Sequence, residues 1–85
     1  MKLNETFGVN IRRLRTVRQM TQQDLALEAE ADRSYISEIE AGHKNATLDF
    51  VERIAKVFGL PAHNLIQPDF EPPVKPERRL KQTKR

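Results

Sequence analysis

The stretch from Thr21 to Gly42, TQQDLALEAEADRSYISEIEAG, constrains the fold more than any other part of the chain. Thr21 followed three residues later by Asp24 matches a capping box, which predicts that a helix begins here. Asp32 is a second N-cap candidate, and Gly42 is suited to end the helix that follows it. The stretch therefore predicts two short helices joined by a tight turn, with polar side chains on the outward face of the second.

Apolar periodicity predicts further helices on both sides of this unit. Phe7, Ile11 and Leu14 recur at a spacing that forms one helical stripe. The apolar stripe of a fourth helix, expected to begin after an N-cap at Thr47, consists of Leu48, Val51, Ile54, Ala55 and Phe58. A short fifth helix is expected over residues 62–66. The sequence thus predicts an all-α, compact five-helix domain over residues 1–66.

Residues 67–85 have a different character and are expected to form a flexible tail. Four of the five prolines fall between positions 68 and 76, and the chain ends in the basic stretch ERRLKQTKR. Residues 1–66 contain nine basic and nine acidic residues, whereas residues 67–85 contain six and three, so the tail holds the whole net charge of +3. The net charge is therefore no indication that the folded domain is basic, and only local potential can steer a polyanion to it.

The composition excludes several classes of function. The chain has no cysteine, hence no disulfide, thiol nucleophile or cysteine zinc site, and His43 and His63 lack ligand-like partners. We find no nucleophile–base pair, no paired carboxylates and no phosphate loop, so an enzyme is not expected, nor a metal or cofactor. No apolar run reaches membrane-spanning length, and the N-terminus lacks the apolar core of a signal peptide. The expectation is a cytoplasmic protein without membrane contact.

Several residues of the predicted helices match a known family. They are Arg15, TQQDLA at 21–26, Ala29, Ile36 and IEAG at 39–42. Over residues 5–66 the chain resembles the lambdoid-repressor and Cro type of helix-turn-helix domain, the Xre family. The segment DRSYISEIEAG at 32–42, followed by a Thr-capped helix, is similar to the controller proteins of restriction–modification systems. The resemblance implies a lambda-repressor-like fold and a transcription regulator that binds double-stranded DNA as a homodimer on a pseudo-palindromic operator.

The second helix of the unit, residues 33–41, is the one expected to enter the major groove. Arg33 lies in its first turn, where a cation opposes the helix dipole, so an anionic partner explains this residue better than folding does. Arg33 is expected to read bases together with Ser34, Ser37 and Glu38, since arginine pairs with guanine through two hydrogen bonds and glutamate accepts from cytosine. The alternative for all four side chains is a solvated helix face.

Contacts with the DNA backbone are expected where free N–H groups and short polar side chains occur. These positions are Thr21, Gln22 and Gln23 at the start of the second helix and Lys44 and Asn45 in the loop before the fourth. For Thr21 the alternative is capping alone, and for Lys44 an exposed loop lysine.

The family resemblance also implies a structural ion pair between Arg15 and Glu40. It exposes one departure as well, since Glu30 stands where the family usually has glycine. A non-glycine residue with positive φ at that turn costs about 1–2 kcal/mol.

Two questions of partner choice stay open from the sequence. The apolar residues near the domain's end either belong to the core or form an isologous dimer interface; they are Val57, Phe58, Leu60, Leu65 and Ile66. The alternative function is an antitoxin or protein-interaction module that uses the helix-turn-helix domain and tail to bind a protein. Phe70, Val74 and Leu80 are the tail's only substantial apolar residues, too few for a strong partner-binding segment.

Overall fold

The computed structural model describes residues 1–73, and over this range the predicted all-α, five-helix fold is confirmed. The helices are α1 (Leu3–Val17), α2 (Gln22–Ala29), α3 (Arg33–Glu40), α4 (Leu48–Phe58) and α5 (Ala62–Leu65). The longest helix, α1, packs against α3 and α5, and α2 packs against α3 and α4. No helix in the described part of the chain is long and apolar enough to span a membrane.

Side-chain caps start α2 and α4 as the sequence predicts. Thr21 Oγ1 accepts from the Asp24 N–H at 3.0 Å, and an Asp24 carboxylate oxygen accepts from the Thr21 N–H at 2.9 Å. Thr47 caps α4 through the N–H of Phe50. The prediction is wrong for Asp32, which occupies the N-cap of α3 but makes no capping hydrogen bond with its side chain. The Asp32 carbonyl oxygen instead closes the first turn of α3.

The turn between α2 and α3 forms without the glycine that the family usually has. Glu30 adopts the left-handed conformation, with φ 56° and ψ 48°. The N–H of Ala31 donates to the carbonyl oxygen of Ala26 at 2.9 Å, the six-to-one hydrogen bond of a Schellman motif. The turn therefore has the shape that glycine favours, and Glu30 bears the strain of a non-glycine residue there.

One continuous core joins the five helices. Its buried apolar residues are Phe7, Ile11, Leu14, Leu25, Ala26, Ala29, Ile36, Ile39, Phe50, Val51, Ile54, Ala55, Phe58, Leu65 and Phe70. The prediction that Leu48 lies on the inner stripe of α4 is wrong, since 79% of it is exposed at the first helical position. Phe50 takes the inward position instead, and its ring meets Phe7 and Tyr35 edge to face.

The packed part of the chain continues beyond residue 66, where the sequence places the end of the domain. Phe70 is 7% exposed and joins the core, and Pro72 is also buried. The buried side chain of Asn10 holds this extension by donating to the carbonyl oxygens of Leu65 and Gln67, at 2.9 and 3.1 Å. A lone apolar residue among prolines has no periodicity, which is why the sequence pattern does not reveal it. The basic end of the predicted tail lies outside the described residues.

Candidate nucleic-acid interface

The C-terminal end of α3 lies directly against α1. A β-carbon at Gly8 would overlap the carbonyl oxygen of Ile39 and would come within 3.0 Å of that of Glu40. At the same crossing the Asn4 amide donates to the carbonyl oxygen of Gly42 at 2.9 Å. Only a residue without a side chain permits this approach, so Gly8 sets the distance at which α1 supports α3.

A buried ion pair fixes α3 to the rest of the fold. Arg15 donates from Nε and Nη2 to the two carboxylate oxygens of Glu40 at 2.7 and 2.8 Å, and from Nη1 to the carbonyl oxygen of Met20 at 2.9 Å. The two side chains are 14% and 5% exposed. Hydrogen bonding to Glu40, aided by its charge, raises the pKa of Arg15 despite the opposing effect of burial, which keeps the guanidinium charged. The structure thus brings together the two residues that the family resemblance pairs.

Gln22 joins this network from the start of α2. Its side-chain amide donates to a carboxylate oxygen of Glu40 at 3.1 Å. The side chain expected to contact phosphate is therefore partly engaged inside the protein, and Thr21 Oγ1 is engaged in capping. Gln23 is exposed. The N–H groups of Gln22 and Gln23, in the first turn of α2, precede the first hydrogen bond of the helix and point away from its body.

The outward face of α3 contains the four residues predicted to read bases. Ile36 and Ile39 are fully buried, and on the opposite side Arg33, Ser34 and Glu38 are exposed. Ser37 on the same face is partly exposed. Within residues 1–73 Arg33 has no ion-pair partner, and the first turn of α3 contains no acidic residue. Its guanidinium is available to an external acceptor.

The loop after α3 brings two predicted roles into one contact. Lys44 Nζ lies 3.4 Å from a carboxylate oxygen of Glu38, and both side chains are half exposed. The sequence assigns Lys44 to a phosphate and Glu38 to a base, and it did not anticipate that they pair with each other. Asn45 beside them is exposed. A pair so accessible to water is weak and opens readily when a charged ligand competes for either partner.

Other polar residues matter for the fold although their positions in the sequence gave no sign of it. Arg18 donates to the carbonyl oxygen of Phe58 at 2.8 Å and lies 5.3 Å above its ring, so it caps the end of α4. Arg53 similarly donates to Ala29 at the end of α2. Helix ends expose unpaired carbonyl oxygens, and cations favour them. Which arginine reaches which helix end depends on tertiary packing and not on local sequence.

Two short helices crossing at a left-handed turn, with a polar face on the second that contains a free arginine, define a DNA-binding helix-turn-helix domain. The comparison with family models agrees with this class. The model of the helix-turn-helix family HTH_3 matches residues 11–64, and the chain belongs to this Xre-type family.

Named relatives extend the same result. The chain is 39% identical over 61 residues to the control protein C.BamHI of Bacillus amyloliquefaciens, covering 71% of this chain and 75% of the relative. The crystal structure of the hypothetical transcription factor NHTF from Neisseria has a TM-score of 0.75 at 29% identity, over 96% of this chain and 86% of that one. The restriction–modification controller protein C.Esp1396I, solved as a tetramer with its natural 35 base-pair operator, has a TM-score of 0.69 at 32% identity, over 76% and 86%.

Proposed function

We propose that this protein is a transcription regulator that binds double-stranded DNA sequence-specifically, with α3 in the major groove. The observation that carries the proposal is the division of α3 into a buried side fixed by Arg15 and a polar outer side with a free Arg33. A recognition helix needs both, because base contacts discriminate only when the helix is held rigidly. Similarity to a controller protein solved on its operator supports the same function.

Arg33 is the principal base-reading residue in this proposal. A guanidinium donates two hydrogen bonds to the O6 and N7 atoms of guanine, and such a pair discriminates by about 1–3 kcal/mol. Ser34 and Ser37 add less selective contacts from the same face. Glu38 accepts from a cytosine amino group once DNA draws Lys44 away from it.

Phosphate contacts position α3 over the bases. At the start of α2, the N–H groups of Gln22 and Gln23 and the positive end of the helix dipole bind one phosphate, and Thr21 shapes this end as the cap. Lys44 and Asn45 bind a second phosphate at the other end of α3. Because Gln22 also holds Glu40, phosphate binding at α2 acts on the same network that fixes α3.

The proposed regulator acts as a homodimer in the cytoplasm on a pseudo-palindromic operator. Two copies related by a two-fold axis place their α3 helices in successive major grooves, about 34 Å apart. We propose no enzymatic activity, since the relatives are transcription regulators. The alternative of a protein-interaction module loses support because Phe70, one of three apolar tail residues, is spent in the core.

The decisive experiment selects binding sites from a random DNA pool and then compares wild type with Arg33→Ala. The variant should lose discrimination at one base pair of each half-site by about 1–3 kcal/mol. Its affinity for unrelated DNA should change little, and its stability should not fall because Arg33 opposes the dipole of α3. Arg12→Ala, at an exposed position of α1, is the matched control.

Two outcomes would count against the proposal in different ways. If Arg33→Ala keeps the wild-type preference at every position, Arg33 does not read bases, although the protein remains a regulator. If the wild-type protein itself enriches no sequence from the pool, sequence-specific DNA binding is wrong.

A further inference from the structure

One surface groove is apolar, although it is open to solvent. Its lining residues are Leu3, Asn4, Phe7, Asn45, Ala46, Leu48, Val51 and Ile66, around a volume of about 160 Å³. Leu3 and Leu48 on its rim are 59% and 79% exposed. The start of α1, the start of α4 and the end of α5 meet here. Large apolar side chains gathered at one exposed place indicate a surface that is covered by a partner.

The lining of this groove contains no charged side chain, which sets it apart from other grooves of residues 1–73. The groove below the turn between α2 and α3 includes Glu30, Asp32 and Arg53. Those beside α1 include Arg13 together with Glu71 or Asp69. A partner of opposite charge is therefore not what the uncharged groove selects.

The groove touches the end of the helix proposed to read DNA. Asn4 in its lining donates to the carbonyl oxygen of Gly42, immediately after α3. Asn45 and Ala46 in its lining belong to the loop that follows. A molecule docked here lies beside α3 and leaves the outward face of α3 uncovered.

We propose that a second copy of this chain docks on the uncharged groove across a two-fold axis. The inference rests on the proposed function, which requires a dimer with two α3 helices on one side of the DNA. In an isologous interface each patch meets itself, so a patch with net charge would face the same charge and be repelled. The uncharged groove meets this condition, and its position beside α3 lets both recognition helices face the same way.

The polar residues of the groove also suit pairing with an identical surface. An asparagine amide both donates and accepts, so Asn45 is able to pair with Asn45 of a symmetry-related copy. Asn4 uses its amide nitrogen within the chain and keeps its carbonyl oxygen for a partner. The interface then has an apolar centre formed by Leu3 and Leu48 and a polar rim.

This surface differs from the one suggested by the sequence. Of the five apolar residues considered there, Phe58 and Leu65 are buried in the core. Val57 and Leu60 are only partly exposed and pack against the core. Ile66 alone also lines the uncharged groove. Leu48, expected inside, is instead the most exposed residue of the lining for which the apolar surface is large.

Sedimentation equilibrium of the full chain without DNA tests the proposal, with Leu48→Glu as the variant. We expect wild type to dimerise and the variant to dissociate about a hundredfold more readily or beyond, because each dimer loses two leucine contacts and gains two facing charges. A glutamate in the first turn of α4 complements the helix dipole, so the variant should fold. Leu27→Glu is the matched control, since Leu27 is a leucine of α2 that is 68% exposed and lies outside the groove.

The outcomes separate the interface from the function. Dissociation of Leu48→Glu with an unchanged Leu27→Glu supports the proposal. A wild-type protein that stays monomeric, or a Leu48→Glu variant that dimerises like wild type, overturns it. In either of those cases the selection of DNA sites still decides the proposed function, because a single half-site is enriched whether or not this face is the interface.

Discussion

The two faces of α3 differ in how completely their side chains are partnered within the protein. On the inner face Ile36 and Ile39 are fully buried, and the carboxylate of Glu40 receives hydrogen bonds from Arg15 and Gln22. An ionised group so deeply buried is stable only with such partners. Almost any substitution on this face should therefore act on the stability of the fold.

The outer face of the same helix is built in the opposite way. Its polar side chains are exposed or partly exposed, and within residues 1–73 the one ion pair on it is the open contact between Glu38 and Lys44. Substitutions there should leave the free energy of unfolding nearly unchanged and act on DNA binding. One helix of eight residues thus separates support from recognition by face.

The largest expected effect comes from removing the buried arginine. Arg15→Ala should lower the free energy of unfolding by about 3–5 kcal/mol, because Glu40 would remain buried without its main partner. Urea denaturation followed by circular dichroism measures the loss. Arg12→Ala on the exposed side of α1 should change stability by less than about 0.5 kcal/mol.

A second variant tests whether the charge itself or the packing matters at this site. Replacing the pair with apolar side chains, in Arg15→Met combined with Glu40→Leu, should restore much of the lost stability. If Arg15→Ala loses less than about 1 kcal/mol, the inner face is no more constrained than the outer one, and the contrast between them fails.

The next effect concerns the crossing of α1 and α3. Gly8→Ala should destabilise the protein by about 1–3 kcal/mol, because the new methyl group collides with the backbone at Ile39. The sign is informative, since alanine favours a helix by about 1 kcal/mol over glycine when nothing obstructs it. Val9→Ala, at the neighbouring exposed position, should be nearly neutral in the same thermal and urea measurements. A stabilised Gly8→Ala variant would show that α1 and α3 are not in close contact there.

Local sequence signals predicted the fold because each helix states its own beginning and inner face. The Thr21–Asp24 box, the cap at Thr47 and the glycine end at Gly59 all appear in the structure. These devices act within four residues, so they can be read without knowledge of the tertiary structure. The spacing of Phe7, Ile11 and Leu14 predicted their burial for the same reason.

Features that depend on distant parts of the chain could not be read in this way. Gly8 looks like an ordinary helix residue until Ile39 is placed against it, and Asn10 looks like surface until residues 65–67 fold over it. The pairing of Glu38 with Lys44 depends on how the loop turns back. Phe70 stands among prolines with no periodic neighbour. Each of these contacts joins residues whose relation is set only by packing.

A smaller effect, of favourable sign, is expected at the turn between the two faces. Glu30→Gly should stabilise the protein by about 0.5–1 kcal/mol, because glycine adopts the left-handed conformation without strain, less the extra entropy it loses on folding. Glu28→Gly, two residues earlier inside α2, should destabilise by about 1 kcal/mol in the same denaturation experiment. DNA discrimination should be unchanged, since the turn already has the glycine-type shape. If instead Glu30→Gly alters discrimination, the turn and not the inner face alone sets the angle of α3.

The smallest effect on stability is expected at Lys44. Lys44→Ala breaks an ion pair in which both side chains are half exposed, so the free energy of unfolding should change by no more than about 0.5 kcal/mol. The effect on DNA should be distinct, because losing one phosphate contact lowers the slope of log affinity against log salt by about 0.9. Lys56→Ala, an exposed lysine of α4 distant from the proposed contacts, should leave that slope unchanged. A stability loss above about 1 kcal/mol with an unchanged slope would make the pair a structural element, and the outer face of α3 would then share the role of the inner one.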